Sequence, residues 1–404
     1  MKDIELFQKA IGMDPWVVVS YEFDPRKGRL DLELDFLPGS TFACPGCDTS
    51  GYKARDTIKK TWRHLNFFQY EAYLHARVPR VDCEKCGVRL VGVPWARPDS
   101  GFTLLFEALV MIMAREMPVK ALSRIVKEHD TRLWRILNHY VEEARRESDF
   151  STVKEVGVDE TSSKRGHNYV TLFVDLEEPK TLFVTEGKDA STLSRFKEDL
   201  ESHKGDRKAI EEICCDMAPG FIAGVEKDFP NARITFDKFH VLKVLNEAVD
   251  EVRREEQGLH PELKKTRYIW LKNPENLKEK EASVLEELQV KKLNLKTMKA
   301  YHIRLNFQEL WKQTAQEAER FLKKWYFWAT HSRLEPVKEA AYTIKRHWTG
   351  ILRWFKSRIN NGILEAINSL VQAAKARARG YRTTKNLITM IYLIAGKLKF
   401  NLPT

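Results

Sequence analysis

The chain has 404 residues, with 68 Lys and Arg against 57 Asp and Glu, giving a formal net charge of +11. That length exceeds one ordinary core and predicts two or three domains, and a composition of 43% hydrophobic and 31% charged residues excludes a disordered or fibrous chain. No run approaches the roughly 18 apolar residues of a membrane span, the start carries Asp3 and Glu5 rather than a signal-peptide core, and the basic excess points to a polyanionic partner, nucleic acid first; a cytoplasmic location without a membrane partner is expected.

The first segment reads as β-rich. Val17 to Phe23 and Leu30 to Leu37 flank Asp24-Pro-Arg-Lys-Gly28, a hairpin signal, and a β-like run extends from Gln69 to Val81. After Pro94 and Pro98 the texture turns helical, with Phe102 to Arg115, Val119 to Glu128 and about Thr131 to Glu147 as helices. From Glu155 the pattern is α/β. Strands are predicted at Glu155–Asp159, Tyr169–Asp175 and Thr181–Thr185. They are followed by a helix (Ala190–Ser202), a strand (Ile210–Cys215), a helix (Ala218–Asp228) and a strand (Ala232–Phe236). Lys238 to Arg358 is almost wholly helical and highly charged, and two last helices cover about Gly362–Arg377 and Lys385–Leu398.

Six cysteines form three close pairs, which suits metal binding better than a disulfide framework. Cys44-Pro-Gly-Cys47 and Cys83-Glu-Lys-Cys86-Gly form CxxC…CxxC. Each pair makes a tight knuckle, and two knuckles complete a tetrahedron of thiolates around one zinc. Gly46 and Gly87 supply backbone freedom. A closed four-cysteine site has no open position, so its expected role is structural.

Met117 to Leu137 reads as a helix-turn-helix. Ala121, Leu122, Ile125 and Val126 are expected to pack on Leu133, Trp134 and Leu137, with Asp130 or Thr131 as N-cap. The second helix would present Arg132 and Arg135 to a DNA groove. The turn has His129-Asp130 where glycine is usual.

Two apolar strands run into acids, Val156-Gly-Val-Asp159 and Ile213-Cys-Cys-Asp216. Three antiparallel strands, then helix, strand, helix and strand, is the ribonuclease-H-like order, in which the first and fourth strands are neighbours. Asp159 and Asp216 would then lie side by side, and the mutual repulsion of two carboxylates is relieved by bridging cations, with oxygen donors suiting magnesium. Glu365, in the first turn of a helix and within a run depleted of acids but rich in Lys356, Arg358, Lys375, Arg377, Arg379, Arg382 and Lys385, is the candidate third ligand for two metal ions. Lys375, Arg379 and Arg382 are candidate DNA contacts. Trp325-Tyr-Phe-Trp328 and Trp354-Phe355 read as helix core or as stacking platforms for unpaired bases. The charged run from Glu275 to Lys299 reads as a solvated helical face.

Taken in order, these features resemble the ISL-three family of bacterial insertion-sequence transposases. The resemblance rests on the two CxxC knuckles with Arg63-His64-Leu65 between them, the helix-turn-helix, Gly157-Val-Asp159-Glu160, and Cys215-Asp216-Met217. It rests also on Asp237-Lys-Phe-His240-Val241 and Asn361-Gly-x-x-Glu365-x-x-Asn368, followed by Lys375, Arg379, Gly380, Tyr381 and Arg382. It implies Asp159, Asp216 and Glu365 as a catalytic DDE triad holding two Mg²⁺ (or Mn²⁺), with Asp237 and His240 as an accessory D-x-x-H motif. It also implies an insertion domain between the last strand and Glu365.

The expected fold is multidomain, α+β and α/β. Residues 1–98 form a β-rich zinc-binding domain and 99–150 a helix-turn-helix domain. A ribonuclease-H-like mixed-sheet core, 151–237 and 349–404, is interrupted by an all-helical insertion, 238–348. The expected activity is that of a DNA transposase acting on double-stranded DNA, both transposon ends and target, as a homodimer or larger assembly near the bacterial nucleoid. The alternatives are a zinc and helix-turn-helix regulator with an inactive nuclease fold, or a ribonuclease-H-like repair or recombination nuclease.

Overall fold

The computed structural model describes residues 3–164, 166, 168–290, 295–359 and 362–402. Asn361 of the last motif, and part of the charged run from Glu275 to Lys299, lie outside them. Two compact units emerge, Met1–Ala144 with Lys399–Thr404, and Arg145–Leu398.

The first unit begins with α1 (Asp3–Ile11), β1 (Trp16–Asp24), β2 (Arg29–Phe36), β3 (Thr41–Phe42), β4 (Tyr52–Lys53), β5 (Asp56–Arg63), β6 (Glu71–Cys83) and β7 (Gly87–Leu90). The main sheet has the order β1-β2-β6-β5, with β7 on β6 and a separate β3-β4 pair. The predicted hairpin forms because Asp24 Oδ1 accepts from the N–H groups of Arg26 and Lys27, both at 3.0 Å, and Gly28 takes φ +65°. In β2 the alternation is strict. Leu30, Leu32 and Leu34 are buried with Trp16, Trp62, Leu74 and Trp95, each contributing about 1.5–3 kcal/mol on full burial. Helix α1, whose Phe7 and Ile11 pack on this core, is not among the predicted elements.

Three helices follow, α2 (Leu104–Glu116), α3 (Val119–Val126) and α4 (Asp130–Arg146). On α3 the buried stripe is Val119, Leu122 and Val126, the i, i+3, i+7 face of a helix. Ile125 falls off that stripe and is 54% exposed, so it does not join the expected packing against Leu133 and Leu137, both buried.

The second unit holds β8 (Glu155–Lys164), β9 (Asn168–Asp175), β10 (Lys180–Glu186), α5 (Ser191–Ser202), β11 (Glu212–Cys215), α6 (Pro219–Asp228) and β12 (Arg233–Phe236). Sheet order is β10-β9-β8-β11-β12; β8 to β10 are antiparallel, while β11 is parallel to both β8 and β12. This is the ribonuclease-H-like arrangement. One face carries Val156, Val158, Phe173, Ile213 and Cys215 into a core with Phe196 and Phe221. The edge strand β10 has one backbone donor satisfied by a side chain, Val184 N–H to Tyr392 Oη at 2.9 Å.

The rest is helical: α7 (Lys238–Glu256), α8 (Arg267–Leu271), α9 (Glu279–Val290), α10 (Lys296–Gln308), α11 (Ala315–Thr330), α12 (Glu335–Arg346), α13 (Trp348–Ser357), α14 (Gly362–Ala378) and α15 (Thr384–Ala395). Buried Glu256 at the end of α7 accepts from the N–H groups of Lys296 (2.7 Å) and Thr297 (2.8 Å), satisfying free donors at the start of α10. Helix α13 brings the chain back to the sheet. Gly350 faces Phe236, where a Cβ would lie 2.4 Å from a ring carbon. Arg353 then reaches the buried Glu212 carboxylate of β11, its Nε donating at 2.6 Å.

Candidate active site

Three neighbouring parallel strands deliver three aspartates to one edge of the sheet. Gly157 pairs with Cys214 and Cys215 with Phe236. Continuing those registers sets Asp159, Asp216 and Asp237 level on β8, β11 and β12. The backbone locks each one: Asp159 Oδ1 accepts from Glu160 N–H at 2.8 Å, Asp216 Oδ1 from Ala218 N–H at 2.9 Å, and Asp237 Oδ1 from Phe239 N–H at 2.8 Å. One oxygen of each carboxylate is therefore fixed by the chain itself. The sequence expectation that the strand ends at Asp159 is corrected: β8 continues to Lys164, paired with β9, and what ends just before Asp159 is the parallel pairing with β11, whose last partners are Gly157 and Cys214.

His240, one turn into α7, stands between two of these acids, its Nε2 lying 3.9 Å from Asp159 Oδ1 and 3.8 Å from Asp237 Oδ2. Burial, helped by the charges of Asp237 and Asp216, pushes the Asp159 carboxyl up to about 6, against the opposing pull of the Glu160 N–H and His240.

Helix α14 lies along β8. Leu364 approaches Gly157, where a Cβ would be 3.5 Å from its methyl. Asn368 donates from Nδ2 to Asp159 Oδ2, Gln372 donates to Thr161 Oγ1, and Lys375 Nζ donates to the Ser162 carbonyl at 2.5 Å. The match is geometric: eleven helical residues rise about 16 Å, and five strand residues span about the same. Helix and strand thus stay in step from Gly157 to Ser162.

Glu365, one turn before Asn368, is exposed and lines a cleft of about 390 Å³ together with Asp237. The fold therefore gathers Asp159, Asp216, Asp237 and His240 at the strand ends and returns Glu365 to a cleft shared with Asp237. Among the described residues, the four cysteines are the one group of three or more metal-ligating side chains whose ligand atoms all lie within 4.8 Å of one another; the three carboxylates of the expected triad are more widely spaced. Lys375 is bent back onto β8, whereas Arg379 and Arg382 are exposed. Of the aromatic runs, Trp325 is core, its Nε1 donating to the Ile303 carbonyl at 2.9 Å, while Phe327 and Trp328 are exposed.

In the first unit, Cys44, Cys47, Cys83 and Cys86 converge, with Cys47 Sγ 3.6 Å from Cys83 Sγ. Tetrahedral thiolates at a zinc–sulfur distance of about 2.3 Å would stand about 3.8 Å apart, so the four sulfurs fit a closed zinc site. A Cβ at Gly46 would lie 3.1 Å from Cys86 Sγ, so glycine there leaves the knuckle room to close. The third pair, Cys214 and Cys215, is buried within β11 and is no part of this cluster.

The turn between α3 and α4 is built from unexpected residues. Lys127 takes the left-handed conformation, φ +53°, that glycine usually fills. The start of α4 is capped by His129 rather than Asp130 or Thr131: its carbonyl accepts from Arg132 N–H at 3.0 Å and its Nδ1 from Thr131 N–H at 3.3 Å. Arg132 is held within the fold by Glu128 and by the Phe102 ring, 4.2 Å from its guanidinium carbon. Arg135 is exposed.

Comparison with known proteins agrees over all three regions. Residues 156–391 match the DDE family model of type ISL3, described as "Transposase". Residues 92–141 match the helix-turn-helix domain of transposase family ISL3, and residues 40–86 the zinc-finger of transposase IS204/IS1001/IS1096/IS1165. The transposase for insertion sequence element IS1557 of Mycobacterium tuberculosis (strain CDC 1551 / Oshkosh) is 26% identical over 443 residues, covering 100% of this chain and 98% of that protein. The transposase for insertion sequence element IS1001 of Bordetella parapertussis is 26% identical over 393 residues, covering 95% and 96%.

Proposed function

The chain belongs to the ISL3 family of insertion-sequence transposases, and from that premise we propose that it binds the terminal repeats of its element, cleaves there to free a 3′-hydroxyl, and joins that hydroxyl to target DNA. The observation that carries this reading is the level row of Asp159, Asp216 and Asp237, with Glu365 lining the cleft beside it.

The residues fit a pair of divalent cations. Their donors are carboxylate oxygens, which suit Mg²⁺ or Mn²⁺, and burial first, then the charges of Asp237 and Asp216, make Asp159 reluctant to give up its proton, a burden that cations relieve. Asp159, Asp216 and Glu365 would hold the ions. When bound, such ions acidify a water and neutralise charge building on the phosphate and the leaving oxygen. Asn368 holds the Asp159 carboxylate in one orientation from α14. His240 and Asp237 border the same acids and are assigned as accessory groups. Glu365 sits in the first turn of α14, whose positive end favours the approach of a phosphodiester. A hydrolytic and transesterifying centre of this kind needs no serine or tyrosine nucleophile.

The cysteine knuckles would hold one structural zinc. The helix-turn-helix, with Arg135 outward, and the exposed Arg379 and Arg382 would contact duplex DNA, the last two by phosphate attraction. We assign residues 1–98 and 99–150 to end recognition, 151–237 with 349–404 to chemistry, and 238–348 to the insertion. Joining two ends calls for at least a dimer, working at the bacterial nucleoid.

The test is cleavage of a labelled transposon-end duplex with Mg²⁺, Mn²⁺ or Ca²⁺. Asp159→Ala and Asp216→Asn should bind that duplex as wild type does and leave it uncut. Normal cleavage by either variant would refute the assignment.

A further inference from the structure

The cleft that Glu365 and Asp237 share has a second half that the hydrolytic reading does not use. Its walls include Lys238, Phe239, Trp354 and Arg358. Trp354 gathers the two cations: Lys238 Nζ lies 3.2 Å from its ring centre and the Arg358 guanidinium carbon 4.7 Å. The indole is itself fixed, Nε1 donating to the Ile359 carbonyl at 3.1 Å. Arg358 is delivered by a left-handed backbone, φ +53°, a conformation that a residue with a side chain rarely takes. Among the described residues, neither cation has a carboxylate within ion-pair distance. Burial first, and the Arg358 charge second, hold the Lys238 ammonium below the ordinary lysine range. Two crowded cations that no carboxylate pairs, opposed by the Asp237 charge from the same cleft, make an anion site. At the mouth, Phe239 is 59% exposed. Among the described residues its one aromatic neighbour is His240, with ring centres 5.6 Å apart at 90°, and most of the Phe239 ring stays open to a ligand.

We propose that this half-cleft takes one unpaired nucleotide of the DNA end, its phosphate held by Lys238 and Arg358 and its base laid on Phe239. The inference rests on the catalytic reading above, since it is the shared wall with Glu365 and Asp237 that sets this nucleotide beside the scissile phosphate. The whole cleft, about 390 Å³, falls within the usual range of small-ligand sites, about 300–1,000 Å³, and the two cations and Phe239 line one part of it. An enzyme that must bring a phosphodiester to a carboxylate-lined edge gains access when the flanking base leaves the stack. The site then holds what the duplex releases.

The probe is a short single-stranded oligonucleotide carrying one 2-aminopurine, titrated in Ca²⁺ against the full chain. Stacking on Phe239 should quench its emission. Phe239→Ala should abolish the quench and weaken binding roughly 5- to 150-fold, the range for loss of one stacked base, and Phe239→Trp should restore both. Lys238→Ala and Arg358→Ala should each weaken binding and lower the salt slope by about 0.7. Circular dichroism of each variant checks the fold. An unchanged quench in Phe239→Ala, or an unchanged salt slope in both cation variants, overturns the proposal. A wild-type chain that quenches the probe yet leaves the end duplex uncut in Mg²⁺ defeats the catalytic reading instead, so the two failures are distinct.

Discussion

Replacing Asp159 by Asn should make the metal-free protein more stable at neutral pH while ending its response to metal. In the folded chain this carboxyl is pushed from 3.8 up to about 6. In the unfolded chain it returns to the lower value. Between those values the folded state binds more protons, so wild-type stability falls as pH rises from about 4 to 6 and stays at the lower level above. Holding the proton across that interval is worth about 3 kcal/mol. The asparagine carries no charge and keeps the shape. Its Oδ1 still accepts from Glu160 N–H. Its amide meets Asn368, whose own Oδ1 is buried without a hydrogen-bond partner among the described residues; turning that amide over supplies the acceptor. In EDTA the variant should therefore exceed wild type by up to about 3 kcal/mol at pH 7 and match it near pH 4. At about 2–4 °C per kcal/mol for a unit of this size, the midpoint shift is several degrees. The assay is thermal or urea unfolding of the full chain across that pH range, with and without Mn²⁺. Mn²⁺ should raise the wild-type midpoint and leave the variant unmoved. A variant that is less stable than wild type at pH 7, or whose advantage does not change with pH, would show that Asp159 is not held under this charge burden.

Other outcomes follow from the same structure. Arg353→Leu strands the buried Glu212 carboxylate and should cost about 3–5 kcal/mol in urea unfolding; adding Glu212→Gln should recover much of it, and a double variant as weak as the single would contradict this. Protein purified without chelator should carry one zinc by elemental analysis, and Cys44→Ser should lose it together with the stability of the first unit; no zinc in the wild type would sink the metal assignment. Arg135→Ala should leave stability unchanged and lower the salt slope of duplex binding by about 0.9. Arg132→Ala, which removes the Glu128 and Phe102 contacts, should instead lower the unfolding midpoint.

What could be read in advance was what the chain order encodes locally. Short apolar strands alternating with helices revealed the adjacency of β8 and β11, because a crossover helix leaves few ways to pack. The CxxC spacing revealed the metal knuckles, since two residues between thiolates is itself the geometry. Asp237 and His240 were visible as a motif, but their approach to Asp159 belongs to the parallel register of β12. The continuation of β8 beyond Asp159 left no mark, because Glu160 to Lys164 pair through the backbone and their side chains are mostly polar. The Asn368 bond to Asp159 joins residues 209 positions apart and depends on a helix and a strand keeping pace. Lys127 in a glycine's conformation and His129 as a cap break the residue preferences on which such reading relies. Arg132 looked like a groove reader because its helix was right; the Phe102 ring that holds it comes from upstream of α2.

The seating of α13 has a wider consequence. With Gly350 flush against Phe236 and Arg353 clasped to Glu212, the polypeptide is anchored to the sheet before it enters α14. Whatever happens in the hundred-odd residues between β12 and α13, the stretch carrying Glu365 starts from a fixed mooring. The intervening helices can therefore be lengthened, shortened or reshaped without displacing that stretch, provided that Gly350 and Arg353 hold the point of return.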